Sequence, residues 1–304
     1  MTKYKPPVDA GLIYAFGAAL LFSFKPVLVK MIYVYGLDTI TLLAWRMLIS
    51  MPIYAAIGLI LLSRNHQSGK KLEKRWVAKA LLVGLVGYYL AALFDLLGLQ
   101  TITAQLERLI LFSYPTWVAV FTWLLLKKPM EKKILVALGL SYTGIAVIFV
   151  SDWQQLGDDV IVGAIWVLLA ALSFSLYVVL SKPIIDHIGP KEFTVIAMIS
   201  SSLMTLAHFF AVQSPQALVI PLPALKLVVV MAVLTTVLPT FLLAAAISRL
   251  GPSKTAITGT LGPAMTSMFA VILLDEFFGW PQAIGLVLVI AAIGVMQYKP
   301  RPVV

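Results

Sequence analysis

"ALLFSFKPVLVK" (residues 19–30) and "ALSFSLYVVLSK" (residues 171–182) read as one stretch written twice. At an offset of 152, Ala19, Phe22, Ser23, Val27 and Lys30 each meet an identical residue. A second correspondence, at an offset of 148, sets "YPTWVAVFTWLLL" (114–126) against "GPAMTSMFAVILL" (262–274). There Pro115 meets Pro263, Phe121 meets Phe269 and Leu126 meets Leu274. The acidic stretch "SDWQQLGDD" (151–159) falls between the copies, which gives two units, residues 1–151 and 152–304.

Both copies lie in long apolar runs. The 304 residues are 61% hydrophobic and only 12% charged, where a soluble domain is nearer a quarter charged. A membrane-spanning helix needs about 20 mostly apolar residues. Such runs occur at 11–33, 38–62, 76–100, 104–126, 133–150, 160–181, 192–212, 224–247, 253–274 and 280–298. The expected fold is therefore an all-α integral membrane protein of ten spans. "MTKYKPPVD" leads into the first run without a small-residue cleavage pattern, so that run reads as a retained span. Five spans per copy is an odd number, so the second copy enters the membrane from the opposite face. Inverted repeats of this kind are a transporter architecture, with the substrate near the midplane where the halves meet.

The charges orient the bundle. With the N-terminus cytoplasmic, the inner segments collect Lys3, Lys5, Arg64, Lys70, Lys71, Lys74, Arg75, Lys79, Lys127, Lys128, Lys132, Lys133, Lys182, Lys191, Arg249, Lys254, Lys299 and Arg301. That is 18 of the 23 basic residues. The opposite side receives the acidic loop at 151–159 and the uncharged "QSPQALVIPLP" at 213–223. Cytoplasmic loops are the ones enriched in Lys and Arg, so both termini are expected in the cytoplasm. The net charge of +10 is then a topology signal and calls for no nucleic-acid partner.

"SRLGPSKTAITGTLGPAMTSMFAVILLDE" (248–276) is a short basic loop entering a helix with a central proline and an acid at its far end. Arg249, Pro263 and Glu276 hold those positions. This resembles the second-half signature of the EamA family in the drug/metabolite transporter superfamily. "GLQTITAQLERLILFSYPTWVAVFTWLLL" (98–126) resembles its first-half counterpart, although Lys127 and Lys128 stand where many relatives carry an acid. The resemblance covers essentially the whole chain. It implies a ten-helix transporter of the bacterial inner membrane moving small metabolites such as amino acids, similar to the aromatic amino acid exporter type.

Five basic residues escape the inner side: Lys25, Lys30, Arg46, Arg108 and Lys226. Lys226 stands at a helix end and can snorkel. An ionisable group at the bilayer centre costs at least about 2.5–3.5 kcal/mol, so such groups face the bundle interior and pair. Asp95 and Glu107 are the acids at similar depth, and the short "TITAQ" turn (101–105) forces their helices together. Asp95 and Arg108 are expected to pair across that hairpin. Glu107 reads as an outer-gate or interfacial residue, and Arg46, Asp95, Glu107, Arg108 and Glu276 as one charge network at the outer mouth. Lys25 is the deepest cation, roughly 12 Å in by helical rise, and precedes Pro26. A proline there kinks the helix and exposes carbonyls to a cavity, which places Lys25 on the substrate path. Its repeat partner is the uncharged Tyr177, and Glu107 and Arg108 map onto Thr255 and Ala256. The scaffold is symmetric and its electrostatics are not.

Tyr88, Tyr89, Tyr114, Trp117, Phe174 and Tyr177 fall within spans and together suggest a pocket with aromatic walls; of these Tyr89, Tyr114, Trp117, Phe174 and Tyr177, with Lys25, are the expected substrate-binding residues. Tyr33, Tyr35, Trp76, Trp153 and Trp280 read as interfacial anchors. Pro26, Pro115 and Pro263 are the expected hinges. "GYY" (87–89) and "TGT" (258–260) permit close helix approach, and His208 reads as packing or lipid-facing. The chain has no cysteine and three histidines in separate segments. It carries no metal-ligand spacing, phosphate loop or nucleophile elbow. No enzyme, metal or cofactor is expected. Asp95, Glu107 and Glu276 are the candidates for proton coupling. The leading reading is an exporter of amino acids or similar zwitterions. A lipid or lipid-linked carrier flippase, and a non-transporting membrane protein, remain as alternatives.

Overall fold

In lipid a backbone must satisfy its own polar groups, so uninterrupted apolar runs become helices. The computed structural model describes residues 8–67, 72–127, 132–258 and 262–297. Lys3, Lys5, Lys70, Lys71, Lys128, Lys299 and Arg301, and Gly259 and Thr260 of "TGT", lie outside them. Fifteen α-helices are present among the described residues: α1 (Val8–Ser23), α2 (Lys25–Tyr33), α3 (Thr39–Gln67), α4 (Lys74–Gly84), α5 (Ala91–Gly98), α6 (Ala104–Leu111), α7 (Tyr114–Leu126) and α8 (Lys132–Leu156), then α9 (Asp159–Ile188), α10 (Pro190–Val212), α11 (Leu222–Ala232), α12 (Leu238–Leu250), α13 (Pro252–Thr258), α14 (Gly262–Leu274) and α15 (Trp280–Gln297). Joined head to tail, they make eight helices long and apolar enough to cross a membrane: Ala10–Tyr33, Thr39–Gln67, Lys74–Gly98, Ala104–Leu125, Leu135–Leu156, Asp159–Ile188, Pro190–Val212 and Leu222–Leu250. The last two expected spans are present as shorter apolar helices, Gly262–Leu274 and Trp280–Ala292.

Local chemistry fixes the ends. Asp38 opens α3: its carboxylate accepts from the Ile40 and Thr41 amides at 2.9 and 3.0 Å, satisfying donors that have no helical partner. Thr103 does the same for α6, accepting from the Leu106 amide at 3.0 Å. The expected acidic loop at 151–159 is a correction. Helix α8 runs on through Ser151 to Leu156, and only Gly157 and Asp158 separate it from α9. Gly157 takes φ +82°, which a residue with a Cβ adopts only under strain.

Four of the long helices are interrupted. The first breaks at Phe24, between α1 and α2, and the fourth at Phe112 and Ser113, between α6 and α7. The third and the eighth each contain a π-helical turn, Leu85–Leu90 and Val233–Val237. Those two turns begin 148 residues apart, the same offset that aligns Pro115 with Pro263. Two residues past the second, Pro239 in the first turn of α12 has no N–H to return to it, a missing bond of the kind that lets a helix widen.

Helix pairing crosses the chain's midpoint. The first span packs on the eighth (α1 on α12), the second on the seventh (α3 on α10) and the third on the sixth (α5 on α9). Helix α6 packs on α14, and α8 on α15. In the α8–α15 contact Gly144 and Gly285 touch backbone to backbone. A Cβ on Gly144 would lie 2.8 Å from the Gly285 carbonyl oxygen, so neither position has room for a side chain.

Candidate functional site

The helix breaks surround a cavity of about 110 Å³ at the centre of the bundle. A single water needs about 10–15 Å³ on such a measure, so the space admits a small solute. Its walls are apolar and aromatic: Ala15, Ala18, Ala19, Phe22, Tyr88, Leu111, Phe112, Tyr114, Phe174 and Met198. Thr235, Thr236, Thr240 and Thr255 supply hydroxyls from the second half, while Lys25, Arg46, Asp95 and Arg108 bring charge from the first. Few polar groups on an apolar wall is the usual composition of a small-molecule site.

Lys25 is the first residue of α2, directly after the break. Its Nζ donates to Asp95 Oδ2 at 2.6 Å. The expected pairing of Asp95 with Arg108 is therefore corrected: the break at Phe24 turns Lys25 inward, and a flexible ammonium reaches Asp95 on α5 directly. Arg108 instead donates from Nη2 to Ser23 Oγ at 3.4 Å and lies 5.8 Å from the Phe112 ring centre. Glu107 is also corrected, from an interfacial position to a fully buried one. It lies against Asp95, within electrostatic reach of Lys25 and Arg108.

Arg46, Asp95, Glu107 and Arg108 are each 5% exposed or less. Beyond the contact between the Asp95 and Glu107 carboxyls, several of their polar atoms have no hydrogen-bond partner among the described residues: Nε of Arg46 and of Arg108, Oδ1 of Asp95 and both carboxyl oxygens of Glu107. An unsatisfied buried donor or acceptor costs about 1–3 kcal/mol, more if charged. The cluster thus holds unspent bonding capacity of both signs.

The expected single charge network is two clusters. Glu276 lies apart from the cavity, at the start of α6. Its carboxylate accepts from the Ala104 amide at 2.7 Å and the Gln105 amide at 3.3 Å, capping a first-half helix from the second half. Beside it Thr103 donates to Asp152 Oδ2 at 2.6 Å, and Gln105 donates to the Phe277 carbonyl at 3.0 Å. Lys30 lies within electrostatic reach of Glu276 and Asp152.

The aromatic candidates divide in the same way. Tyr114 and Phe174 line the cavity, Tyr114 donating to the Ala256 carbonyl at 3.1 Å. Tyr177 stands one layer behind, its hydroxyl 2.7 Å from that of Tyr88. Tyr88 faces the cavity, and Tyr89 turns away to meet His208 Nδ1 at 2.9 Å, so His208 has a polar partner that its sequence neighbours did not announce. Trp117 packs near Phe121 and Tyr142 and is not among the cavity-lining residues. Pro26 and Pro115 each stand in the first turn of a new helix, where a missing N–H costs nothing. Pro263 is likewise the second residue of α14. Phe22 and the threonines were missed as site residues, yet the repeat contained a signal. The offset of 148 that joins the π-helical turns carries Gly87 and Tyr88 onto Thr235 and Thr236. Among the described residues no three His, Asp or Glu side chains are grouped to hold a metal.

A model of the EamA-like transporter family matches residues 9–150 and again residues 161–298. The protein called uncharacterized transporter YcbK of Bacillus subtilis (strain 168) is 29% identical over 301 residues, spanning 95% of this chain and 93% of its own. One called uncharacterized transporter sll1319, of Synechocystis sp., is 22% identical over 310 residues, with the same coverage of 95% and 93%. A solved structure titled "Crystal structure of protein" superposes with a TM-score of 0.66 at 15% identity, over 94% of this chain and 95% of that one. At that identity the likeness concerns the fold alone.

Proposed function

This chain belongs to the EamA-like transporter family of the drug/metabolite transporter superfamily, and on that premise we propose a secondary transporter that moves a small zwitterion by alternating access. It is a multi-pass membrane protein, and amino acids are the substrate class the cavity suits best. The observation that carries this reading is the unspent bonding capacity of the charge cluster. A carboxylate can accept from the Arg46 and Arg108 guanidinium groups, and an ammonium can donate to Asp95 Oδ1. The remainder of the solute meets Phe22, Tyr88, Tyr114 and Phe174, an aromatic wall that favours an apolar or aromatic side chain.

Ten spans in two inverted halves are part of the same proposal. The family model's separate match to each half supports it, as do the π-helical turns 148 residues apart. The packing scheme supports it too: exchanging each span with the one five later carries the pair first–eighth onto sixth–third and leaves second–seventh unchanged. The basic ends of the helices favour cytoplasmic termini, and the bacterial relatives favour the inner membrane. Export is the direction we infer. Alternating access requires that the bonds Glu276 makes to α6 break when that end opens, since they join the two halves.

The test is flux of labelled amino acids in proteoliposomes, with and without a pH gradient. Protein-dependent flux lost in both Arg46→Gln and Arg108→Gln supports the reading. No flux for any amino acid overturns the substrate class.

A further inference from the structure

A second hollow lies away from the central cavity, between α1 and α12 on one wall and α3 and α10 on the other, with a volume of about 690 Å³. Its length is apolar, from Leu21 and Leu238 at its depth through Ile57, Leu61, Phe241 and Leu242. At the basic end of the bundle it is rimmed by Arg64, Lys191 and Arg249. We propose that this groove binds an anionic phospholipid, with one acyl chain along the apolar floor and the phosphate between the three cations.

Four observations carry the assignment. All four walls are helices long and apolar enough to lie in a bilayer, so the medium that fills the groove is lipid. Among the described residues no acidic side chain lines it, which leaves three positive charges facing one mouth. Basic pockets between membrane helices are where anionic headgroups are held. Arg64 and Arg249 stand in the last turns of α3 and α12, where a helix dipole welcomes a cation. Lys191 stands in the first turn of α10, where the dipole opposes one, so helix stability does not account for it. Arg249 is also held in place: its guanidinium lies 4.8 Å from the Tyr14 ring centre and donates to the Ala245 carbonyl at 3.4 Å.

The test is lipid retention by the full chain, extracted from vesicles of equal phosphatidylglycerol and phosphatidylcholine and weighed intact by native mass spectrometry. The expected result is at least a fivefold preference for one retained phosphatidylglycerol. The triple variant Arg64→Gln, Lys191→Gln, Arg249→Gln should abolish that preference, and Lys74→Gln with Arg75→Gln, on the same end but outside the groove, should not. Leu242→Trp fills the floor and should lower retention with all three cations in place; monodispersity on size exclusion verifies its fold. Equal retention of the two lipids, or an unchanged preference in the triple variant, overturns the proposal. So does displacement by millimolar inorganic phosphate, which would make the rim a plain anion site. Solute flux is a separate readout, so a failed substrate reading leaves this result standing.

Discussion

Lys25 and Asp95, 70 residues apart, are joined Nζ to Oδ2 at 2.6 Å across the central cavity's charged end. The pair ties the break in the first span to α5, and it is nearly dry: the side chains are 13% and 2% exposed. Breaking a buried pair from one side leaves an uncompensated charge and costs about 3–5 kcal/mol, while removing both partners is far milder. Lys25→Met and Asp95→Leu should each lower the melting temperature by several degrees, and the double variant should recover most of that loss. Transport should stay at a tenth of wild type or less in all three, because Asp95 Oδ1 is the proposed ammonium acceptor. A thermal double-mutant cycle alongside flux checks both statements. Strictly additive melting shifts would sink the pairing argument.

Glu276 offers a different lever, on the bonds that join the halves. A side chain that caps a helix contributes about 0.5–2 kcal/mol, and a carboxylate adds favourable charge at a helix N-terminus. Glu276→Gln should weaken both bonds to the Ala104 and Gln105 amides and shift the transporter toward opening at that end. A cysteine placed at Leu111, which lines the cavity, should then react with a membrane-impermeant maleimide added on that side several-fold faster than in the Glu276 parent. Equal rates would mean that the cap is structural and takes no part in gating.

Hydrophobic length made the long helices legible, although α3, α8 and α9 run on past polar residues beyond the apolar runs. The pairing at the site was not legible, for a physical reason. Depth along a straight helix ranks Asp95 and Arg108 together, but the break at Phe24 re-aims Lys25 and decides the contact, and helical rise carries no information about such a turn. Few residues into its span, Glu107 reads from the sequence as an outer-gate or interfacial residue. In the fold α6 is wrapped by α2, α8, α9, α14 and α15, so a short distance along the helix is still a buried one. The same limit applies to Tyr88 and Tyr89. Adjacent residues in a widened turn point in different directions, and the π-helical geometry selected Tyr88 for the cavity.

Glu107 lies against Asp95, and among the described residues its carboxyl has no hydrogen-bond partner other than that carboxyl. Two carboxylates in contact favour one shared proton over two charges, which suits a group that loads and releases a proton as Lys25 moves. Glu107→Gln fixes the neutral, proton-bearing shape. Flux down a substrate gradient should persist within about threefold of wild type, and stimulation by an imposed pH gradient should vanish. A Gln variant that still responds to the gradient like its parent would remove Glu107 from the coupling step.

The absence of cysteine makes the cavity directly addressable, since every introduced thiol is unique. Thr236, on the π-helical turn Val233–Val237, lines the cavity with 5% of its surface exposed. Thr236→Cys should label slowly, and a saturating substrate should slow labelling at least fivefold further by filling the space. Val219→Cys, on the exposed segment before α11 at 86% exposure, should label fast and ignore substrate. If the substrate protects neither position, it binds outside this cavity. In that event the flux defects of the Arg46 and Arg108 variants would have to be traced to folding, which their melting curves would reveal.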